Sequence, residues 1–140
     1  MAEFIMKKLV REQGLEDNFL IQSSATSTEE IWNGIGNPVY PPAKSELTKH
    51  GISCEGKRAV QLRSDDYGKY DLFIGMDSAN IRNMTRILNG DPENKIQKLM
   101  SYTDRGGDVA DPWYTRNFDI TYRDILDGCT NLLEELKKEY

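Results

Sequence analysis

The sequence is poor in the residues that build metal and disulfide sites. It contains one histidine, His50, and two cysteines, Cys54 and Cys129. Neither cysteine belongs to a CxxC pair or to a metal-type spacing, so we expect two reduced thiols instead of a disulfide or a zinc site. A single histidine also excludes a site built from several histidines. We therefore predict neither a metal nor a cofactor.

Long apolar runs and patches of one charge are scarce as well. No stretch approaches the roughly 20 apolar residues of a membrane span, and the N-terminus lacks the residue order of a signal peptide. The formal net charge is −5, with Lys and Arg scattered among acidic residues, which argues against a nucleic-acid or anionic-membrane surface. We expect a cytoplasmic protein with a single domain over residues 1–140, a length sufficient for one sizeable core.

Helical and strand patterns alternate along the chain. Apolar residues at i, i+3 and i+4 and terminal capping signals predict helices over 1–13, 43–50, 77–88 and 118–140, with a short helix starting at 64–66. Strands are predicted over 19–21, 71–76 and 95–100, and 71–76 is the best of them because it is a short apolar run between charges. The alternation predicts an α/β fold with three αβα layers and a short parallel sheet.

The loops that follow the predicted strands are the places to look for a site. Ligands in such folds bind at the carboxyl ends of the strands, which here are the loops after Ile21, Met76 and Met100. Residues 28–42 also form a long irregular connection, and such loops are usually functional or mobile. This connection carries Trp32, which we interpret either as a lid on the core or as one wall of a pocket.

The loop after the last predicted strand contains Asp111-Pro112-Trp113-Tyr114. Proline fixes its own φ and extends the residue before it, so Asp111 is presented at a fixed angle. Two bulky rings beside the carboxyl group partly remove it from water, which favours the protonated form that a general acid needs. The alternative is a surface turn, with the two rings covering the core.

With these segments placed, nearly the whole chain resembles the low-molecular-weight protein tyrosine phosphatases. The stretches that carry the resemblance follow the family's order and spacing, and they are residues 1–4, 23–27, 35–38, 50–52, 56–59, 76–80 and 111–114. The aromatic pair after Asp-Pro is the most specific of them. It resembles the phosphatases that flank a phosphotyrosine ring more than the arginine phosphatases of the same fold, whose acid loop tends to carry small residues there.

The resemblance implies hydrolysis of phosphotyrosine in proteins through a cysteinyl-phosphate. A thiolate attacks phosphorus while backbone N–H groups and an arginine hold the phosphate at a helix N-terminus. Asp111 would protonate the leaving tyrosyl oxygen and then activate water for the second step. The walls around the substrate ring would come from Trp113, Tyr114 and Trp32. The resemblance also matches Ser23 and Asp77 to positions that support the phosphate loop from behind.

The sequence departs from the family in having no Cys-x5-Arg motif. The arginine position after Cys54 is Val60, and no arginine follows Cys129. The family's central first strand and phosphate loop would precede Met1, so we expect both to be missing and the chain to be inactive alone. The unpaired strand edges would then favour a homo-oligomer through an exposed sheet edge. A smaller departure is Lys57, where many members have histidine.

Two alternatives remain beside phosphatase activity. The first is a non-catalytic binding or scaffold module with the same fold, which the missing nucleophile favours. The second is a thioredoxin-coupled arsenate reductase. Such enzymes have the same fold, but they need a cysteine pair near the end of the third strand. Residues 77–88 contain no cysteine, so this alternative is the weaker one.

Overall fold

The computed structural model describes residues 1–26, 31–32, 35–36, 41–54, 56–57, 60–110 and 117–139, with backbone alone at 31–32, 35–36 and 139. Within these residues the helices are α1 (Ala2–Glu12), α2 (Pro41–Lys49), α3 (Ser78–Ile87) and α4 (Phe118–Glu139). The strands are β1 (Ile31–Trp32), β2 (Ile35–Gly36), β3 (Phe73–Gly75) and β4 (Ile96–Lys98), and 3₁₀ turns cover Glu16–Asn18, Ser64–Gly68 and Leu99–Tyr102.

Parallel pairing of β3 with β4 confirms the predicted α/β fold. Phe73 is opposite Ile96, and Gly75 is opposite Lys98. Helix α3 follows β3 directly and packs against both strands, which is the arrangement of a crossover helix between parallel strands. β1 and β2 form a separate antiparallel pair, inside the segment predicted as irregular.

The predicted strand at Phe19–Ile21 is extended but does not pair. Phe19 has φ −130° and ψ 132°, yet this segment forms no ladder with any other described residue. Phe19 and Ile21 pack against the core while Leu20 is 71% exposed, so the side chains alternate between two faces as they do in a strand. The prediction of a strand was wrong because a short apolar run favours burial, whereas a strand also needs a partner for its backbone.

The helix boundaries follow local sequence signals with one exception. Gly14 (φ 68°) follows α1 and Gly51 (φ 72°) follows α2, both in the left-handed conformation that glycine adopts readily at a helix end. The exception is the start of α2, which lies at Pro41 and not at Ala43. Proline is compatible with the first turn of a helix because the N–H it lacks has no intrahelical acceptor there.

The main core is formed by α1, α4 and the turn at Leu99–Tyr102. Ile5, Leu47 and Leu133 are at most 1% exposed, and Cys129 is buried among them as predicted. Gly128 allows close contact between α4 and this turn, since a Cβ there would lie 2.5 Å from Cγ of Leu99. Among the described residues, no helix is both long enough and apolar enough to span a membrane.

Candidate active site

The predicted site residues divide into two groups. Asp111, Trp113 and Tyr114 lie outside the described residues, and Trp32 belongs to β1, of which only the backbone is described. Their roles therefore stay predictions. Ser23 and Asp77 are described, together with the residues on both sides of segment 111–116.

The residue before Asp111 is fixed through both of its backbone groups. The N–H of Ala110 donates to Oδ2 of Asp124 at 2.8 Å, and the hydroxyl of Thr121 donates to the carbonyl of Ala110 at 2.8 Å. Thr121 and Asp124 are buried on the inward face of α4. Arg105 pairs with the same carboxylate, with Nη2 3.0 Å from Oδ2. Helix α4 therefore determines where the acid loop begins.

The same loop is also attached to the end of β3. The N–H of Val109 donates to the carbonyl of Met76 at 2.9 Å. Asp77 caps α3 by accepting from the N–H of Asn80 at 2.7 Å, and Oδ1 of Asn80 accepts from the N–H of Met76 at 3.0 Å. Asp77 and Asn80 thus fix the end of β3 to which Val109 is hydrogen-bonded, and the role of Asp77 in supporting a phosphate loop stays a prediction.

Ser23 belongs to a polar cluster around the buried Glu3. Its hydroxyl and its N–H both donate to Oε1 of Glu3, at 2.7 and 3.0 Å. The ammonium of Lys57 lies 2.8 Å from the same oxygen, and that of Lys7 lies 2.7 Å from Oε2. Burial acts to raise the pKa of Glu3, but the hydrogen bonds from Lys57, Lys7 and Ser23 outweigh it and lower that pKa to about 2. Glu3 is therefore a fixed negative charge at neutral pH.

Sequence reasoning missed three of these residues, namely Glu3, Thr121 and Asp124. Each is a polar residue on the buried face of an amphipathic helix, which is the signal that could have found them. Glu3 precedes the buried Met6 by three positions and Val10 by seven. The contact with Glu3 also accounts for lysine at position 57, where many family members have histidine, because lysine supplies a cation to the Glu3 carboxylate.

Neither cysteine has the environment of a nucleophile. Cys54 and Cys129 are both buried, and burial raises the pKa of Cys129 to about 12. A reactive cysteine needs a thiolate in a partly exposed, electropositive setting. The described residues therefore fix the backbone just before Asp111, and both of the cysteines among them are buried.

Comparisons with known proteins agree with this architecture. A family model described as low molecular weight phosphotyrosine protein phosphatase matches residues 1–140. The low molecular weight protein-tyrosine-phosphatase YfkJ of Bacillus subtilis is 33% identical over 141 residues, which cover 99% of this chain and 88% of the relative. PtpA of Staphylococcus aureus, of the same description, is 29% identical over 140 residues, covering 99% and 86%.

Solved structures match over similar lengths. The crystal structure of YfkJ from Bacillus subtilis has a TM-score of 0.89 at 31% identity and covers 99% of this chain and 86% of that one. SP-PTP, a low molecular weight protein tyrosine phosphatase from Streptococcus pyogenes, has a TM-score of 0.82 at 34% identity, with coverage of 96% and 82%.

Proposed function

The chain belongs to the low molecular weight phosphotyrosine protein phosphatase family, and on that premise we propose that it serves the hydrolysis of phosphotyrosine in proteins, with Asp111 as the general acid. The observation that carries the proposal is the double anchoring of Ala110 by Thr121 and Asp124. A proton donor has to be positioned within hydrogen-bond reach of the leaving oxygen. Fixing the preceding residue to a long helix supports that requirement.

The roles follow the two steps of the reaction. In the first, a thiolate sulfur bonds to phosphorus, the bond from phosphorus to the tyrosyl oxygen breaks, and Asp111 gives its proton to that oxygen. In the second, water attacks phosphorus, the bond to sulfur breaks, and Asp111 takes the proton of the water. Trp113, Tyr114 and Trp32 flank the substrate ring. Ser23 and Asp77 support the phosphate loop through the contacts to Glu3 and Asn80.

We infer that residues 1–140 alone do not hydrolyse phosphomonoesters. They contain no Cys-x5-Arg motif, and the high pKa and burial of Cys129 make it unsuitable as a replacement. General-acid catalysis contributes roughly 10² to 10⁴-fold, which does not replace a nucleophile and a phosphate cradle. The thiolate and the arginine have to come from residues outside these 140.

The test is to join a strand and a Cys-x5-Arg-Ser-Pro segment ahead of Met1 and to measure kcat/KM, which reports the first step alone. Asp111→Asn should lower kcat/KM by roughly 10² to 10⁴-fold with a phenolate leaving group. The loss should be much smaller with p-nitrophenolate, which leaves without help from a proton. Asp104→Asn, at an exposed position of the preceding loop, is the matched control and should change neither rate. Equal losses with both leaving groups would contradict the proton-donor role of Asp111.

A second candidate function is a non-catalytic binding module in the cytoplasm that associates through its open sheet edge. It is supported by the unpaired segment at Phe19–Ile21 and by two exposed apolar side chains, Leu20 at 71% and Val60 at 57%. We expect a homo-oligomer, most simply a dimer, and Leu20→Lys should weaken it. Light scattering at micromolar concentration measures this. A monomer with a cooperative thermal transition would contradict association.

An arsenate reductase remains the weakest alternative, because α3 contains no cysteine.

A further inference from the structure

A second buried carboxylate, Glu46 of α2, lies away from the acid loop and lacks the partners that Glu3 has. Glu46 is 2% exposed, and within the described residues neither of its carboxylate oxygens has a hydrogen-bond partner. The cation recorded next to it is Lys49, whose ammonium lies 3.4 Å from Oε2 on a side chain that is 67% exposed. A carboxylate taken out of water needs strong compensation. One ammonium beyond hydrogen-bond geometry supplies little of it.

Two further metal-binding side chains converge on Glu46. His50 follows it by four residues at the end of α2, and Asp119 is in the first turn of α4. One donor atom of each of the three residues lies within 4.8 Å of the others. The ring of His50 stacks on that of Tyr122, with centroids 3.7 Å apart and planes 4° from parallel, so its orientation is fixed. A cleft of about 310 Å³ borders Glu46, Lys49 and Asp119 and has room for water.

We propose that Glu46, His50 and Asp119 bind a divalent transition-metal ion of the zinc type, with water from the cleft completing the coordination. One imidazole and two carboxylates form a neutral complex with a divalent cation, and imidazole favours zinc over magnesium. Ligand atoms of tetrahedral zinc lie about 3.4 Å apart. Donor atoms up to 4.8 Å apart therefore have to approach one another on binding, and the exposed side chain of Asp119 can move to do so.

Two carboxylates this close to each other repel. The pKa of Asp119 is lowered by the neighbouring side chain of Glu46 and by the positive charges of Lys49, Arg123 and His50. A divalent metal ion between the two carboxylates would offset their repulsion and serve both at once. The sequence predicted no metal site because it has a single histidine. The proposed site combines that histidine with two carboxylates, of which Glu46 is four residues away in sequence and Asp119 is brought near by the fold.

The location gives the ion a structural consequence. Asp119 lies two positions before Thr121 and five before Asp124, the two residues of α4 that hold Ala110. An ion shared by α2 and α4 would fix the start of the helix that anchors the acid loop. The proposal is independent of whether the chain hydrolyses phosphate.

The single histidine makes the site directly measurable. A zinc titration of the full chain, followed by NMR of the His50 side-chain signals, should show saturable binding of one ion per chain, and magnesium should leave those signals unchanged. Changing a second-shell residue typically lowers metal affinity by about 10 to 100-fold, so Glu46→Gln and Asp119→Asn should each weaken zinc binding by at least about 100-fold. Glu135→Gln, at an exposed position far along α4, is the control and should change nothing.

A substitution of Lys49 should change zinc affinity in the opposite direction. Its ammonium competes for Glu46, so Lys49→Met should tighten zinc binding several-fold. The absorption spectrum of bound cobalt(II) should lack thiolate charge-transfer bands, which separates this site from one at Cys54 or Cys129. The proposal is overturned if millimolar zinc leaves the His50 signals unchanged, if Glu46→Gln binds zinc as the original chain does, or if cobalt reports thiolate ligands.

Discussion

Two buried glutamates, Glu3 in α1 and Glu46 in α2, have the same side chain and similar burial but opposite surroundings. Glu3 is 7% exposed and Glu46 is 2% exposed. Glu3 accepts from Ser23 and pairs with Lys7 and Lys57 at 2.7 to 2.8 Å. Within the part of the chain that the structure describes, the cation paired with Glu46 is Lys49, at 3.4 Å.

The difference separates a structural charge from a candidate ligand. The partners of Glu3 come from α1, from the segment after it and from residue 57, so its carboxylate joins distant parts of the chain. The neighbours of Glu46 include a second carboxyl group, which adds repulsion instead of compensation. A satisfied buried charge specifies one arrangement of its surroundings. An unsatisfied one is stabilised only by a proton or by an added cation.

The largest expected effect is at the satisfied glutamate. Glu3→Gln removes the charge while two lysines remain beside it, and losing one partner of a buried ion pair destabilises by roughly 3 to 5 kcal/mol. Because Lys7 is 44% exposed and can turn to water, we expect about 3 kcal/mol. Urea denaturation measures it, and a loss below about 1 kcal/mol would contradict the role given to this cluster.

Acid should remove the same stabilisation without a mutation. The pKa of Glu3 is lowered from 4.5 to about 2 in the folded chain, so its contribution is present above pH 4.5 and is lost as the pH falls toward 2. By pH 3 the loss is about 2 kcal/mol. The difference in unfolding free energy between the original chain and Glu3→Gln should shrink by that amount between pH 7 and pH 3. A difference independent of pH would show that packing, and not charge, is responsible.

The two lysines around Glu3 should not be equivalent. Lys57 is 23% exposed, whereas Lys7 is 44% exposed and pairs with Glu3 within one helix at i, i+4. Lys57→Met should destabilise by about 1 to 2 kcal/mol, and Lys7→Met by about 0.5 kcal/mol or less. Thermal unfolding of the two variants side by side measures the ratio, and the reverse order would contradict the geometry of the cluster.

The smallest expected effect is at Glu46. Without added metal, Glu46→Gln removes a poorly compensated charge and its repulsion with Asp119, so unfolding free energy should change by about 0.5 kcal/mol or less and in the stabilising direction. The measurement is the same urea denaturation in the presence of a chelator. A destabilisation as large as that of Glu3→Gln would mean that Glu46 has partners equal to those of Glu3, and the comparison would fail.

The spacing of apolar residues was sufficient to predict the helices and β3, because these elements depend on residues close together in sequence. The apolar face of α4 places Cys129 in the core as predicted. Local signals failed where the outcome depended on a distant partner. The segment Phe19–Ile21 has the apolar run of a strand but no pairing neighbour among the residues that the structure describes, and α2 begins two residues earlier than predicted because proline is compatible with a first turn.

The residues around the candidate site also show that local sequence signals do not predict contacts with distant partners. Asp77 could be predicted, since Asp before a helical pattern is a local capping signal. Thr121, Asp124 and Glu3 act through contacts made across the fold, and their only local mark is a polar side chain on an apolar helix face. Glu46 and His50 are four residues apart, which the sequence already shows, but Asp119 joins them only through the packing of α2 against α4. No sequence spacing links residues 46 and 119.

The central claim is that these 140 residues carry the acid side of a phosphatase site without its nucleophile. Hydrolysis of p-nitrophenyl phosphate by the purified chain, alongside Asp111→Asn and the double variant Cys54→Ser with Cys129→Ser, tests it most directly. The account predicts that all three proteins give the uncatalysed rate. Turnover above that rate that disappears in Asp111→Asn or in the double cysteine variant would contradict it, because a nucleophile would then exist within the chain.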